Sequence, residues 1–445
     1  MEFTMKSKQL LLAAVLLVLL AAAWIAALGA ASDREAIEEQ NRLWADAGKY
    51  AEKELWVRAI PKYEEALTYK TDRSGEIETQ LLAAYEAYGD LDAYFALAQQ
   101  RMTAGTAAEA EYIRSAELYL EVGEIEEAIA VAKKGMAVFG SERCEALYEE
   151  NRYRYDIRFT KFEEILPTQD NSYMPARDAN GWTFVNAKGR AVYGTVRWSD
   201  VTAFNASGYA VVRAEDAYIV ITKSGDRFAV DDTVGLDDVH GLTATSVIGE
   251  KDGVWGLYNA DFVPRTEGIA YEAITQVSEN RYAAKKDGAW GILDASGATV
   301  SGFQFEDAAQ NSWGAVYCGN TAMVCYGGAW YMLDETGAKR TDTTFADAKA
   351  PESTDGWIAV ANEDGLWGFA DRSGTLVIDY QYEDAKSFSD NLAAVKTGGE
   401  WVYISTANTV VIDNVFYEAQ PFRGGVAQAV TPQGAAVLVL EFPGI

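Results

Sequence analysis

Apolar and polar positions along this chain fall into three successive patterns. From Leu10 to Ala31 there is no charged residue, and about 20 helical residues suffice to span the ~30 Å hydrocarbon core of a bilayer. From 33 to 166, apolar positions recur at helical spacing among Ala, Glu, Leu and Tyr, and Pro61 is the only proline before Pro167. That composition predicts an all-helical stretch. Pro167 and the polar run 168–172 then break the helical pattern. Beyond them, short alternating runs between Gly-rich turns predict strands. The expected domains are 1–31, a cytoplasmic stub with a transmembrane signal anchor; 32–166, helical repeats; 167–172, a linker; and 173–445, a β-repeat domain.

Charge sets the orientation of the first segment. Lys6 and Lys8 precede it, and Asp33, Glu35, Glu38 and Glu39 follow it, so the positive-inside rule keeps the N-terminus cytoplasmic. The expected location is the cell membrane, single-pass, with the bulk of the chain extracytoplasmic. Gly29-Ala30-Ala31 offers an alternative as the cleavage site of a signal peptide. The apolar run exceeds the ~7–15 residues of such a peptide's core, which favours retention as an anchor.

Within the helical stretch, small and aromatic residues recur. Ala47, Tyr50, Ala59, Tyr63 and Ala66 share their spacing with Ala116, Tyr119, Ala128, Ala132 and Gly135, and Ala93 lies midway between Ala59 and Ala128. This resembles the tetratricopeptide repeat, a helix-turn-helix unit of about 34 residues, although Leu81 and Ala84 depart from it in the middle unit. The resemblance implies paired helices with a concave groove for an extended partner segment. Tyr63, Tyr85, Tyr88, Tyr94, Tyr112 and Tyr119 are candidates for that groove or for the packing between helices.

The β region repeats a phrase seen as Asp287-Gly288-Ala289-Trp290-Gly291-Ile292-Leu293-Asp294 and again at 364–371. Versions centre on Trp182, Trp255, Trp330 and Trp401 as well as Trp290 and Trp367, with degenerate ones at Tyr218 and Ala436; the steps run from 34 to 40 residues. A second marker keeps phase with it: an aromatic or Leu, a variable residue, an acid and a small residue. Its copies are Trp198–Val201, Leu236–Val239, Phe305–Ala308, Phe345–Ala348, Tyr382–Ala385 and Phe416–Ala419, with Tyr271–Ile274 as a shifted copy. Three strands per unit are expected.

These phrases resemble the WG repeat, a bacterial β-repeat named for its Trp-Gly pair. The resemblance covers roughly 173–441, with departures at Thr183, Tyr331 and Val402, which stand where Gly would follow Trp. It implies a multidomain α + β chain whose second part is a β-propeller-like ring of seven to eight units, because a closed array leaves few strand edges exposed. An open β-solenoid is the alternative.

Composition narrows the chemistry. With 38 Lys+Arg against 67 Asp+Glu, the formal charge is −29, which excludes nucleic acid as a partner. Cys144, Cys318 and Cys325 form no C-x-x-C pair, and His240 is the only histidine, so no His-based triad or metal cluster is expected. No phosphate-binding loop, nucleophile elbow or zinc motif occurs. Neither catalytic residues, a cofactor nor a metal is therefore expected. The repeated acids Asp200, Asp238, Asp307, Asp347, Asp384 and Glu418 suggest either Ca²⁺ binding or hydrogen bonds to nearby backbone N–H groups.

The expectation is a non-enzymatic, membrane-anchored binding protein for a protein or peptide partner. Trp313 and Trp357 fall outside the repeated Trp position and support an alternative, a cell-wall glycan module in which they stack on sugars. A glycosidase-type enzyme built on carboxylate pairs is the third reading.

Overall fold

The computed structural model describes residues 34–228, 235–243, 246–259, 263–265 and 270–444. The chain divides into two compact units, Met1–Tyr148 and Glu149–Ile445. No helix among the described residues is long and apolar enough to cross a membrane, and the anchor expected within 1–31 lies outside them.

The N-terminal unit is helical. A helix at 34–51 is followed by Trp56–Leu67, Ser74–Tyr88, Leu91–Ala104, Glu109–Val122 and Ile125–Phe139, and a seventh helix, Glu142–Arg152, runs across the boundary. Glycines stop four of them, since Gly89, Gly105, Gly123 and Gly140 adopt the left-handed conformation that ends a helix cheaply. The small residues recur because helices pack closely there: Ala47, Ala59, Ala66, Ala116 and Ala132 are fully buried. A bidentate ion pair ties one hairpin to the next, with Arg101 Nε and Nη2 at 2.7 and 2.8 Å from Glu111 and Nη1 at 2.5 Å from Glu78.

The second unit holds eight small antiparallel sheets among the described residues. Each blade has four strand positions rather than the three expected. The seventh shows the full set: Asp384–Ala385, Leu392–Thr397, Glu400–Ser405 and Val410–Phe416, paired in that order. The additional strand is the acid-small pair of the second marker, too short to read as a strand from local alternation. In the first, third and fifth blades the outer strand is reduced to isolated bridges such as Trp330 with Phe345.

The sheets close into a β-propeller. Apolar clusters fill all eight joints, from Phe184 with Val212 between the first and second blades to Leu392 with Ala427 between the seventh and eighth. The eighth joint returns to the start, where Met174 and Val185 pack with Val426 and Val437. Closure is completed by Tyr155–Phe159, which pairs antiparallel with Gly434–Leu440 as the outer strand of the last blade. Propeller closure therefore holds over the solenoid.

The domain boundary consequently differs from the one read off the sequence. The helices end at Arg152, and residues 155–166, expected to be helical, contain the closing strand and the inner strand Glu164–Ile165. Phe162-Glu163-Glu164-Ile165 is an eighth copy of the second marker, so the β domain begins ahead of the 167–172 segment assigned as a linker. The inner strand pairs with nearby Met174–Asp178, but the closing strand pairs with Gly434–Leu440 at the far end of the chain, about which local periodicity carries no information.

Candidate interaction surfaces of the ring

A single row of residues crosses each blade from the centre to the rim. In the seventh, Asp384 faces Lys396, Lys396 faces Trp401 and Trp401 faces Phe416. The sixth repeats this with Asp347, Ala361, Trp367 and Tyr382, and the first with Glu164, Arg177, Trp182 and Trp198. Trp255, Trp290 and Trp330 likewise face Tyr271, Phe305 and Phe345. The two sequence markers are thus cross-strand neighbours, which explains their fixed phase. Trp290, Trp367 and Trp401 are buried, and Trp182, Trp255 and Trp330 half-buried, so all six expected repeat tryptophans act in packing. Glycine follows Trp367 because a Cβ on Gly368 would meet the Ile378 carbonyl oxygen at 2.5 Å.

The pairing corrects two assignments. Tyr271–Ile274 is in register, with Ala273 in place of the acid. In the eighth blade the Trp position is Ala435, opposite Val430, rather than Ala436.

The repeated acids serve the backbone. Asp200, Asp238, Asp307, Asp347 and Asp384 each accept the next residue's N–H at 2.7 to 2.8 Å. An acid one position before the marker's acid position caps the turn that leads into Trp: Glu272 accepts from Gly288 at 2.9 Å and Glu306 from Gly327 at 2.9 Å. Polar contacts link the inner strands of neighbouring blades at three joints. Lys349 Nζ is 3.3 Å from Asp384 and 4.3 Å from the Trp367 ring centroid, and Lys386 Nζ is 4.0 Å from Glu418. The Tyr218 hydroxyl lies 3.1 Å from Asp200 and 3.4 Å from Asp238. Burial, opposed by that hydroxyl, pushes the Asp200 carboxyl above the usual range. Asp238, Asp307, Asp347 and Glu418 remain exposed. Among the described residues, no group of three or more His, Cys, Asp or Glu is arranged to hold a metal. His240 stands exposed on the inner strand Asp238–Leu242, edge-on to Trp255 at 5.8 Å.

The loops after the inner strands carry Trp313 and Trp357. Trp313 borders a cavity of about 420 Å³ shared with Phe204, Thr243, Gln276 and Glu279. It is half-buried, the Arg423 guanidinium lies 5.8 Å from its ring centroid, and its buried indole N–H has no partner. Behind it, Glu352 accepts from the Ser312 N–H at 2.7 Å, the Ser312 hydroxyl at 2.8 Å and Arg423 at 2.5 Å. Trp357 is half-buried, edge-on to Phe388 at 5.2 Å, in a hollow of about 230 Å³ with Asp355, Asp390 and Asn391. Neither indole is freely exposed.

Three cysteines are free thiols, and burial pushes Cys318 up to about 11. In the helical unit Tyr63, Tyr85, Tyr94 and Tyr112 are buried in packing, and Tyr119 stacks on Phe95 at 3.7 Å; Tyr88 is exposed.

A family model described as WG containing repeat matches residues 367–401. No curated protein matches the sequence. Among solved structures, Hsv2 of Kluyveromyces lactis is similar at 9% identity, over 62% of this chain and 93% of that one, with a TM-score of 0.37. Apo AztD from Citrobacter koseri is similar at 11% identity, over 59% and 88%, with a TM-score of 0.40. YCF48 bound to D1 peptide is similar at 12% identity, over 65% and 97%, with a TM-score of 0.34.

Proposed function

We propose that this chain is a non-enzymatic scaffold of the cell envelope, held by an N-terminal anchor at 1–31 with the bulk of the chain outside the cytoplasm, that binds protein or peptide partners. The three helical hairpins are read as tetratricopeptide-like, because their second helices begin at Trp56, Leu91 and Ile125, steps of 35 and 34 residues. The observation that carries the partner reading is the inner face of the ring. Seven of its eight rows start with an acid, and exposed Asp238, Asp307, Asp347 and Glu418 favour a basic segment. Immobilised 33–445 should retain a Lys-rich peptide and release it as salt rises, whereas an acidic peptide should pass through. Equal retention of both peptides would remove this reading.

A glycan reading rests on the Trp357 hollow, where an aromatic stands beside Asp355, Asp390 and Asn391, groups able to hydrogen-bond sugar hydroxyls. If it holds, Trp357→Ala lowers sedimentation with cell wall; unchanged sedimentation retires it.

A further inference from the structure

Seven rows of the ring carry a large aromatic on their third strand, namely Trp182, Tyr218, Trp255, Trp290, Trp330, Trp367 and Trp401, and the eighth carries Ala435. The surrounding residues leave the place open. A hollow of about 200 Å³ lies there, lined by Ile165, Leu166, Gln428, Ala429, Val430 and Ala435. It is smaller than the ~300–1,000 Å³ of small-molecule sites and fits one large side chain.

Its wall holds an unused hydrogen-bonding atom. Gln428 is 3% exposed, its amide nitrogen rests on Met174 Sδ at 2.7 Å, and its Oε1 has no partner. Sulfur only accepts, so the amide N–H₂ belongs on Met174 and the free atom is an acceptor. An acceptor beside an apolar hole of this size selects an aromatic that carries an N–H, since an apolar ring would leave Oε1 unsatisfied. Glu163, Glu164 and Glu418 also line the hollow; Glu164 pairs with Arg177 at 2.9 Å, and Glu163 and Glu418 are exposed. Leu166 and Val430 are exposed at its mouth.

We propose that the hollow at Ala435 is a socket for a tryptophan of a partner polypeptide, flanked by basic residues, whose indole N–H donates to Gln428 Oε1. The partner's ring completes the eighth row as the chain's own tryptophans complete six others. The hollow borders the inner face of the ring, with which it shares Glu164 and Glu418, but it is not lined by Asp307 or Asp347, so the two readings can be tested apart.

The test is calorimetric titration of the full chain with the capped peptides Lys-Lys-Trp-Lys-Lys, Lys-Lys-Phe-Lys-Lys and Lys-Lys-Ala-Lys-Lys. The Trp peptide should bind about tenfold or more tighter than the Ala peptide, the scale of burying one large apolar side chain, with the Phe peptide between them. Ala435→Trp should abolish the advantage while raising the melting temperature, because it fills the hole; Ala435→Leu provides the same test should the larger residue disturb folding. Gln428→Leu should erase the preference for Trp over Phe. Equal affinities for the Trp and Ala peptides, or an advantage that survives both Ala435 substitutions, overturns the proposal. Self-association of the wild type that Ala435→Trp alone removes would assign the hole to a second copy and also overturn it. After charge reversal of Asp307 and Asp347 the Trp peptide should keep its advantage over the Ala peptide even where the inner face no longer holds basic segments; loss of binding for all three peptides alike would place them on the inner face and overturn the socket.

Discussion

Trp401 shows what one repeated residue contributes. It is 4% exposed, faces Phe416 across the strands and has Lys386 Nζ 5.6 Å from its ring centroid. Trp401→Ala should cost about 3–5 kcal/mol, read from the denaturant midpoint of the ring. Half-buried Trp357 should cost less. The turns after the Trp strand depend on single carboxylates. Asp294 accepts the Ser296 hydroxyl at 2.6 Å and the Ser296 and Ala298 N–H groups, and Asp334 does the same with Thr336 and Ala338. Those hydroxyls, with the backbone donors, hold both carboxyls below the usual range. A carboxyl depressed by folding stabilises the fold fully above its unfolded value and loses that contribution as pH falls through the folded one. Stability should therefore decline below about pH 4, and Asp294→Asn with Asp334→Asn should flatten the decline in acid-unfolding curves. Asn keeps the turn, as Asn186 does with Lys188 and Arg190.

The closing strand Tyr155–Phe159 controls whether the ring exists. Without it Gly434–Leu440 becomes an open edge, ready to pair with another chain. A fragment beginning at 149 should be monomeric with a sharp melting transition, whereas one beginning at 173 should aggregate; size-exclusion chromatography distinguishes them. In the helical unit, the corresponding fastener is Arg101, 5% exposed between Glu111 and Glu78. Arg101→Ala strands two carboxylates and should destabilise that unit by about 3–5 kcal/mol, measured by loss of helical circular dichroism on heating.

Taken together, the molecule is strongly acidic, with a formal charge of −29, and its ring concentrates carboxylates on the innermost strands. Association with a basic partner should therefore be fast at low salt and weaken as ionic strength rises past the ~10 Å screening length of 0.1 M salt. Stopped-flow rates that do not change with salt would contradict this. The loops on the Trp313 face are also laced from blade to blade. Asn205 reaches the Thr243 carbonyl at 3.0 Å, Gln276 the His240 carbonyl at 2.6 Å, and Glu279 the Gly319 N–H at 2.7 Å. Such lacing preorganises a surface before a partner arrives.

Periodicity in the chain determined that helices precede a β-repeat, that the repeat is about 36 residues long, and that its tryptophans pack. Those properties rest on local spacing, which residues a few positions apart already encode. Blade count, the true start of the ring and the meaning of Ala435 were decided only in three dimensions. Tyr155 pairs with Leu440, and Ile165 packs with Val437; no local pattern links such distant positions. A one-residue difference in register separates Ala435 from Ala436, and only the strand opposite can set it. The marker at Phe162–Ile165 is present in the sequence, but its place beside the last blade is not, and the hollow beside Gln428 depends on a side chain that is absent and on neighbours that do not move in to replace it.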